Sequence, residues 1–139
     1  MRILVTGGAG FIGSAFIRLV LSGPSQVEIL NFDKLTYSGN LDNLRDVEKS
    51  PNYSFVKGDI GDPKAVAVAF KKFDPDFVIN FAAETHVDRS IHVGAKEFID
   101  TNITGVFNIL EAVKAHPRVK KYVQVSTDEV YGSLRLGSR

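Results

Sequence analysis

The chain opens on a short apolar run, Ile3 to Thr6, which breaks into Gly7-Gly8-Ala9-Gly10-Phe11-Ile12-Gly13 and then into an amphipathic stretch, Phe11 to Leu21. A strand that turns on glycines straight into a helix is the first half of a βαβ unit, and such units build parallel sheets. Gly8, Gly10 and Gly13 fit G-x-G-x-x-G, while Gly7, Gly10 and Gly13 fit the version spaced by three. The first glycine lets the chain turn, Gly10 lets a backbone come close to a pyrophosphate, and Gly13 lets helix and strand pack closely. The helix start at Phe11, Ile12 and Gly13 offers free N–H groups and a positive dipole end to an anion.

The alternation continues along the chain. Val27 to Phe32 reads as a second strand ending at Asp33, Tyr53 to Lys57 as a third, Phe77 to Ala83 as a fourth and Tyr122 to Val125 as a fifth. The fourth is apolar except for Asn80, as a strand covered on both faces should be. Pro63 to Lys72 reads as a helix, with Asp62 as N-cap and Pro at its first position. Val93 to Ala115 is the longest helical candidate. Ala95, Phe98, Ile99, Ile103, Val106, Ile109, Leu110 and Val113 follow one stripe at three-four spacing, with Phe107 on a second apolar face. Residues 34 to 52 form a long irregular stretch of the kind that is functional or mobile. The expected fold class is α/β, a Rossmann-like doubly wound parallel sheet cut off after its fifth strand, with 1–132 as the cofactor domain and 133–139 as a tail.

Composition narrows the functions open to such a fold. The 139 residues carry 17 Lys+Arg against 16 Asp+Glu, a net charge of +1. With no basic block beyond two adjacent residues, this argues against a nucleic-acid partner. No apolar run approaches the ~20 residues of a membrane span, and the opening residues lack a signal peptide's pattern. The absence of cysteine removes disulfides, thiolate metal sites and cysteine nucleophiles, and suits a cytoplasmic setting. His92 and His116 are isolated, without metal-ligand spacing, so no metal is expected.

Asp33 lies 20 residues beyond Gly13, at the end of the second strand. Its carboxylate can take both ribose hydroxyls of NAD and would repel the 2′-phosphate of NADP. Lys34 beside it softens that preference, since a cation tolerates a phosphate. Asp59 and Ile60 follow the third strand near where adenine should lie. For Asp59, acceptance from the adenine amino group and a plain turn-capping role stand about even. Ala82 and Ala83 would let a cofactor approach the backbone closely. Glu84, Thr85, His86, Asp88 and Arg89 then crowd polar groups where a substrate can lie. Ser126-Thr127-Asp128-Glu129 sets hydroxyls and carboxylates at the same sheet edge, where neighbouring carboxyls can be driven apart in pKa. Asn102, unfavourable inside a helix, either faces solvent or holds a kink or water near the site.

Together these residues resemble the extended short-chain dehydrogenase/reductase family. Residues 1–13 are shared by many members. The more discriminating stretches are Asp33 to Asn40, Ala82 to Ile91 and Val125 to Gly132, which resemble the sugar-nucleotide 4,6-dehydratase branch. Epimerases generally lack Asp-Glu after the Ser-Thr pair, and decarboxylases usually lack the Asp, so the assignment rests mainly on Asp128. The resemblance implies NAD as cofactor, a sugar nucleotide such as dTDP-glucose as substrate, and a homodimer for full-length members. It implies that hydride leaves carbon 4 of the hexose and returns at carbon 6. Glu129 takes the carbon 5 proton, Asp128 protonates the departing 6-hydroxyl, and Thr127 hydrogen-bonds the 4-oxygen. Asn102 matches the family's helix-kinking asparagine.

The family's Tyr-x-x-x-Lys pair and its sugar-nucleotide domain find no match before residue 139. Tyr53 and Lys57 have the spacing, but four residues of strand separate Cα atoms by about 13 Å, too far for one to support the other. Tyr131 is followed at that spacing by Arg135. The chain alone is therefore expected to lack turnover. The alternatives are a stand-alone NAD-binding module or partner subunit, or a dehydratase or epimerase for a UDP or GDP sugar.

Overall fold

The computed structural model describes residues 1–23, 26–85 and 95–132, with Asp128 and Glu129 described by backbone alone. Strands β1 (Arg2–Thr6), β2 (Glu28–Asp33), β3 (Tyr53–Lys57), β4 (Phe77–Asn80) and β5 (Lys121–Gln124) form one sheet in the order β3-β2-β1-β4-β5. Every pairing is parallel. The order reverses between β1 and β4, so the connections after those strands diverge and leave a crevice at the carboxyl edge. Register places Thr6 opposite both Phe32 and Asn80. Gly7, Asp33 and Phe81 therefore leave the sheet at one level.

Both faces of the sheet are covered, which is why its central strands read as unbroken apolar runs. Helix α1 (Phe11–Leu21) lies over one face, where Ile17 packs with Ile3, Val5, Val27, Ile29 and Leu44. On the other face, helices α2 (Pro63–Phe73) and α4 (Val106–Ala115) bury Val66, Phe70 and Ile109 against Leu4, Leu30 and Val78. Ile3 and Val5 serve one layer and Leu4 the other, the two-residue alternation of a strand. Asp62 caps α2 as expected, accepting from the N–H groups of Lys64 at 2.9 Å and Ala65 at 3.3 Å, with Pro63 behind it.

Asp76 staples the opposite, amino edge of the sheet. Its Oδ2 accepts the Arg2 N–H at 2.8 Å, and Arg118 Nε donates to Oδ1 at 3.2 Å. The Arg2 N–H and the paired Arg118 hold this carboxyl below its ordinary pKa, against the opposing effect of burial.

Three expectations need correction. The fourth strand stops at Asn80 rather than Ala83. There the backbone turns away: Phe81 N–H still bonds Thr6 O, but Ala82 N–H bonds the side chain of Asn80. The long helical candidate is not one helix with one buried stripe. Val93 and Gly94 lie outside the described residues, and from Ala95 it runs as α3 (Ala95–Ile99), a π-helical segment (Asp100–Gly105) and α4. Within it Gly105 and Ile109 are the buried residues, while Ile99, Ile103, Phe107 and Leu110 are exposed. Finally, the stretch from 34 to 52 contains a short 3-10 helix, Leu41–Leu44. The fifth and second strands are displaced by a single residue, within the ordinary spread of strand ends.

Candidate dinucleotide site

A cleft open to solvent, with a cavity volume of about 90 Å³, lies at the carboxyl edge of the sheet. Gly7, Gly10, Asp33, Lys34, Asp59, Ile60, Ala82 and Ala83 all line it. These eight come from the ends of β1, β2, β3 and β4, so the crevice gathers what the sequence scatters.

The glycine loop is built as its spacing implies. Gly7 has φ +70°, a left-handed conformation, and a Cβ there would lie 2.5 Å from Ala82 N. No other residue type fits this approach of two strand ends without strain. A Cβ on Gly13 would run into Gly7 O and Gly8 Cα, so this glycine permits the helix–strand contact. Gly10 differs: a Cβ there would meet only Gly7 O, at 3.4 Å, and otherwise faces the cleft. No side chain caps the start of α1, and the N–H groups of Phe11, Ile12 and Gly13 find no acceptor among the described residues. An anion is the natural complement to that arrangement.

Asp33 is buried, and its two oxygens hold the loops around it. Oδ2 accepts the Ala9 N–H at 2.9 Å and Oδ1 the Leu35 N–H at 2.8 Å. A carboxylate has about four lone-pair sites, so acceptor capacity remains for ribose hydroxyls. The stretch after Asp33 folds back onto the glycine loop: Asn40 N–H and Asn43 Nδ2 both bond Ala9 O at 3.0 Å.

Lys34 and Asp59 close one end of the cleft as an ion pair, Nζ to Oδ2 at 2.7 Å. The hydrogen bond to Asp59 raises the Lys34 ammonium above its ordinary pKa, against burial. Burial pushes Asp59 up, but Lys34 and the Gly61 N–H together outweigh it and hold the carboxyl below its ordinary value. Asp59 Oδ1 accepts that Gly61 N–H at 2.8 Å, which is the turn-capping role, while its side chain also lines the cleft. Ile60 is buried, and its carbonyl accepts Asn108 Nδ2 at 2.9 Å.

A buried polar network sets the exit of β4. Asn80 is fully buried, and its Oδ1 accepts the Thr6 hydroxyl and the Ala82 N–H, the latter at 3.1 Å. Its Nδ2 donates to Gln124 Oε1 at 2.9 Å, so the ends of β1, β4 and β5 are tied by one side chain. Further along, Asn102 clamps Glu84: its Nδ2 donates to Glu84 O at 2.8 Å and its Oδ1 accepts the Glu84 N–H at 2.9 Å. Asn102 lies in the π-helical segment. Both of its readings hold in part: the residue is exposed, and its amide bonds the chain beside the site at the π-helical turn.

The cleft does not include every expected residue. Phe11 and Ile12 are exposed at the start of α1, Gly13 packs behind it, and Thr85 and Thr127 are exposed outside the cleft lining. Asp128 and Glu129 begin a 3-10 turn, Asp128–Tyr131. His86, Asp88 and Arg89, and the tail 133–139, lie outside the described residues. Tyr53 and Lys57 sit on β3 as argued, with the Tyr53 hydroxyl accepting from Asn31 rather than meeting the lysine. His116 bonds Ala112 O at 2.7 Å. Sequence reasoning missed Thr36, Ser38, Gly39, Gly58 and Thr101 as lining residues. The Asn-, Ser- and Gly-rich character of residues 34–52 was the signal available for the first three.

A parallel sheet in this order, with a glycine loop at the first turn and an aspartate ending the second strand, defines a Rossmann-like dinucleotide-binding domain. The chain belongs to the family described as GDP-mannose 4,6 dehydratase, matched over residues 4–137. It is 52% identical to a probable dTDP-glucose 4,6-dehydratase of Sinorhizobium fredii, over 96% of this chain and 40% of that protein. It is also similar to the crystal structure of DesIV, a dTDP-glucose 4,6-dehydratase from Streptomyces venezuelae with NAD and TYD bound. That match has 46% identity and a TM-score of 0.90, covering 100% of this chain and 43% of that one. Similarity to the UDP-glucose 4-epimerase of Thermus thermophilus in complex with NAD is lower, 35% identity and a TM-score of 0.85, covering 100% and 42%. The chain thus spans 40–43% of the length of these relatives. The resemblance to extended short-chain dehydrogenase/reductases, and to the dehydratases among them, is borne out.

Proposed function

We propose that this chain is the NAD-binding part of a sugar-nucleotide 4,6-dehydratase that converts dTDP-glucose to its 4-keto-6-deoxy product. The observation that carries the reading is the single cleft into which Gly7, Gly10, Asp33, Ala82 and Ala83 converge. The fit to NAD rests on three features. Gly10 leaves room at the helix start, the N–H groups of that turn lack acceptors among the described residues, and Asp33 is a fixed carboxylate at the end of β2. Gly10, Phe11, Ile12 and Gly13 would hold the pyrophosphate. Asp33 would hold the adenosine ribose, with Lys34, Asp59, Ile60, Ala82 and Ala83 lining the same cleft.

Bound NAD supplies a reversible hydride acceptor. Everything else is the work of side chains. Thr127 hydrogen-bonds the 4-oxygen of the hexose. Once carbon 4 is a ketone, the hydrogen on carbon 5 is acidic, because the anion left behind is an enolate. Glu129 takes that proton and Asp128 delivers one to the 6-hydroxyl as it leaves, the division of labour open to two carboxyls in unlike surroundings. Thr85, His86, Asp88 and Arg89 contribute to the sugar-nucleotide side. The greater likeness to dehydratases than to the epimerase, and Asp128 itself, favour this reading over an epimerase. A homodimer is the expected assembly of the full-length enzyme.

The test is calorimetric. The chain should bind NAD⁺, Asp33→Ala should weaken binding at least tenfold, about 1.4 kcal/mol, and the chain alone should not turn over dTDP-glucose. Undiminished binding by Asp33→Ala would remove the ribose assignment, and turnover by the pure chain would remove the claim that the missing Tyr-x-x-x-Lys is required.

A further inference from the structure

Lys34 poses a problem for a site that takes NAD. It follows directly on the residue assigned to the adenosine ribose, it lines the same cleft, and a free ammonium there would welcome the 2′-phosphate of NADP. The structure supplies an answer. Lys34 Nζ is held at 2.7 Å by Asp59 Oδ2. Asp59 is in turn fixed by the Gly61 N–H, which its other oxygen accepts at 2.8 Å. Asp59 sits after β3, whose register with β2 sets Lys57 opposite Asp33, so the two loops emerge side by side and their side chains meet across the cleft end. Glu84 and Glu97 add further negative charge around the same lysine.

We propose that Asp59 is a specificity-determining residue: by occupying Lys34 it denies the 2′-phosphate its cation and keeps the site selective for NAD over NADP. This rests on the dinucleotide reading above. Asp33 repels the 2′-phosphate directly, and Asp59 removes the cation that would offset that repulsion. The two carboxylates thus act on one phosphate by different routes. Neither needs to touch it.

Releasing Lys34 has a consequence that a plain loss of negative charge does not share. In Asp59→Asn the amide oxygen can still accept the Gly61 N–H, but the ammonium is released, so NADP⁺ gains and the gain depends on Lys34. Binding of NAD⁺ and NADP⁺ is measured by calorimetry on the wild-type chain, Asp59→Asn, Lys34→Met and the double variant, each checked for folding by circular dichroism. The affinity ratio of NADP⁺ to NAD⁺ should rise by about fivefold in Asp59→Asn, the scale of one partly exposed ion pair. It should rise little in Lys34→Met or in the double variant. An unchanged ratio in Asp59→Asn, or the same rise with Lys34 absent, would overturn the proposal while leaving the NAD site standing. A wild-type chain that binds neither nucleotide would overturn the dinucleotide reading, and the proposal with it.

Discussion

At the scale of single residues, two glycines of one loop carry different duties, and substitution separates them. Gly13→Ala forces a methyl into Gly7 O and Gly8 Cα and should cost about 1–3 kcal/mol, the range for overpacking. Gly10→Ala meets only Gly7 O at 3.4 Å, in an extended conformation that alanine tolerates. Its stability cost should stay under about 1 kcal/mol, the scale of an N-cap change. It should nonetheless weaken NAD⁺ binding, because its methyl enters the space assigned to the pyrophosphate. Urea titration and calorimetry read the two effects separately. A Gly10→Ala chain that binds like the wild type would place the pyrophosphate elsewhere. These duties were legible in the spacing of the glycines. The Lys34–Asp59 pair was not, because its partners stand 25 positions apart and meet only through the pairing of β2 with β3. That meeting also changes what Lys34 means for cofactor choice. Read alone it softened the preference for NAD; in the structure it is already engaged.

At the scale of elements, the segment from Ala95 to Ala115 shows where periodicity misleads. Counting apolar residues at three-four spacing assumes one helical phase throughout. The π-helical turn from Asp100 to Gly105 widens the spiral and rotates everything before it relative to everything after. Ile99 and Ile103 are exposed while Ile109 is buried. Asn102, awkward for an ordinary helix, was the residue that marked the place. Its two hydrogen bonds hold Glu84 and with it the segment that carries Ala82 and Ala83 into the cleft. Asn102→Leu removes both bonds. Each contributes about 0.5–1.5 kcal/mol at most, less at an exposed position, so melting should change little while NAD⁺ affinity falls severalfold. A large loss of stability with unaltered affinity in the folded fraction would mean that the clamp serves the fold rather than the site. The strands, α1 and α2 were legible to within a residue or so, apart from the end of β4, because their signals are local: glycine breaks, an Asp-Pro start, short apolar runs. The end of β4 was not, because Phe81 and Ala82 continue the apolar run after the strand has ended, packing against the cores while they line the cleft.

At the scale of the whole molecule, the two edges of the sheet do different work. The amino edge is tied by Asp76 to Arg2 and Arg118, the carboxyl edge by Asn80 to Thr6, Ala82 and Gln124. The first binds strands together, and the second aims loops at a ligand. Ile99, Ile103, Phe107 and Leu110 are exposed from α3 to α4, and exposed apolar surface favours association. Among the described residues, no helix is long and apolar enough to cross a membrane. What remained illegible in the sequence was the chemistry shared with the relatives' remaining length, since the chain spans 40% of the Sinorhizobium protein it matches. The central claim is that this chain folds into a working NAD site. It is tested most directly by native mass spectrometry of the purified protein after exposure to NAD⁺, with the released small molecule identified. Chains of 15.2 kDa should each carry one NAD, with pairs of chains appearing as concentration rises. Folded chains that retain no NAD at saturating nucleotide would contradict it.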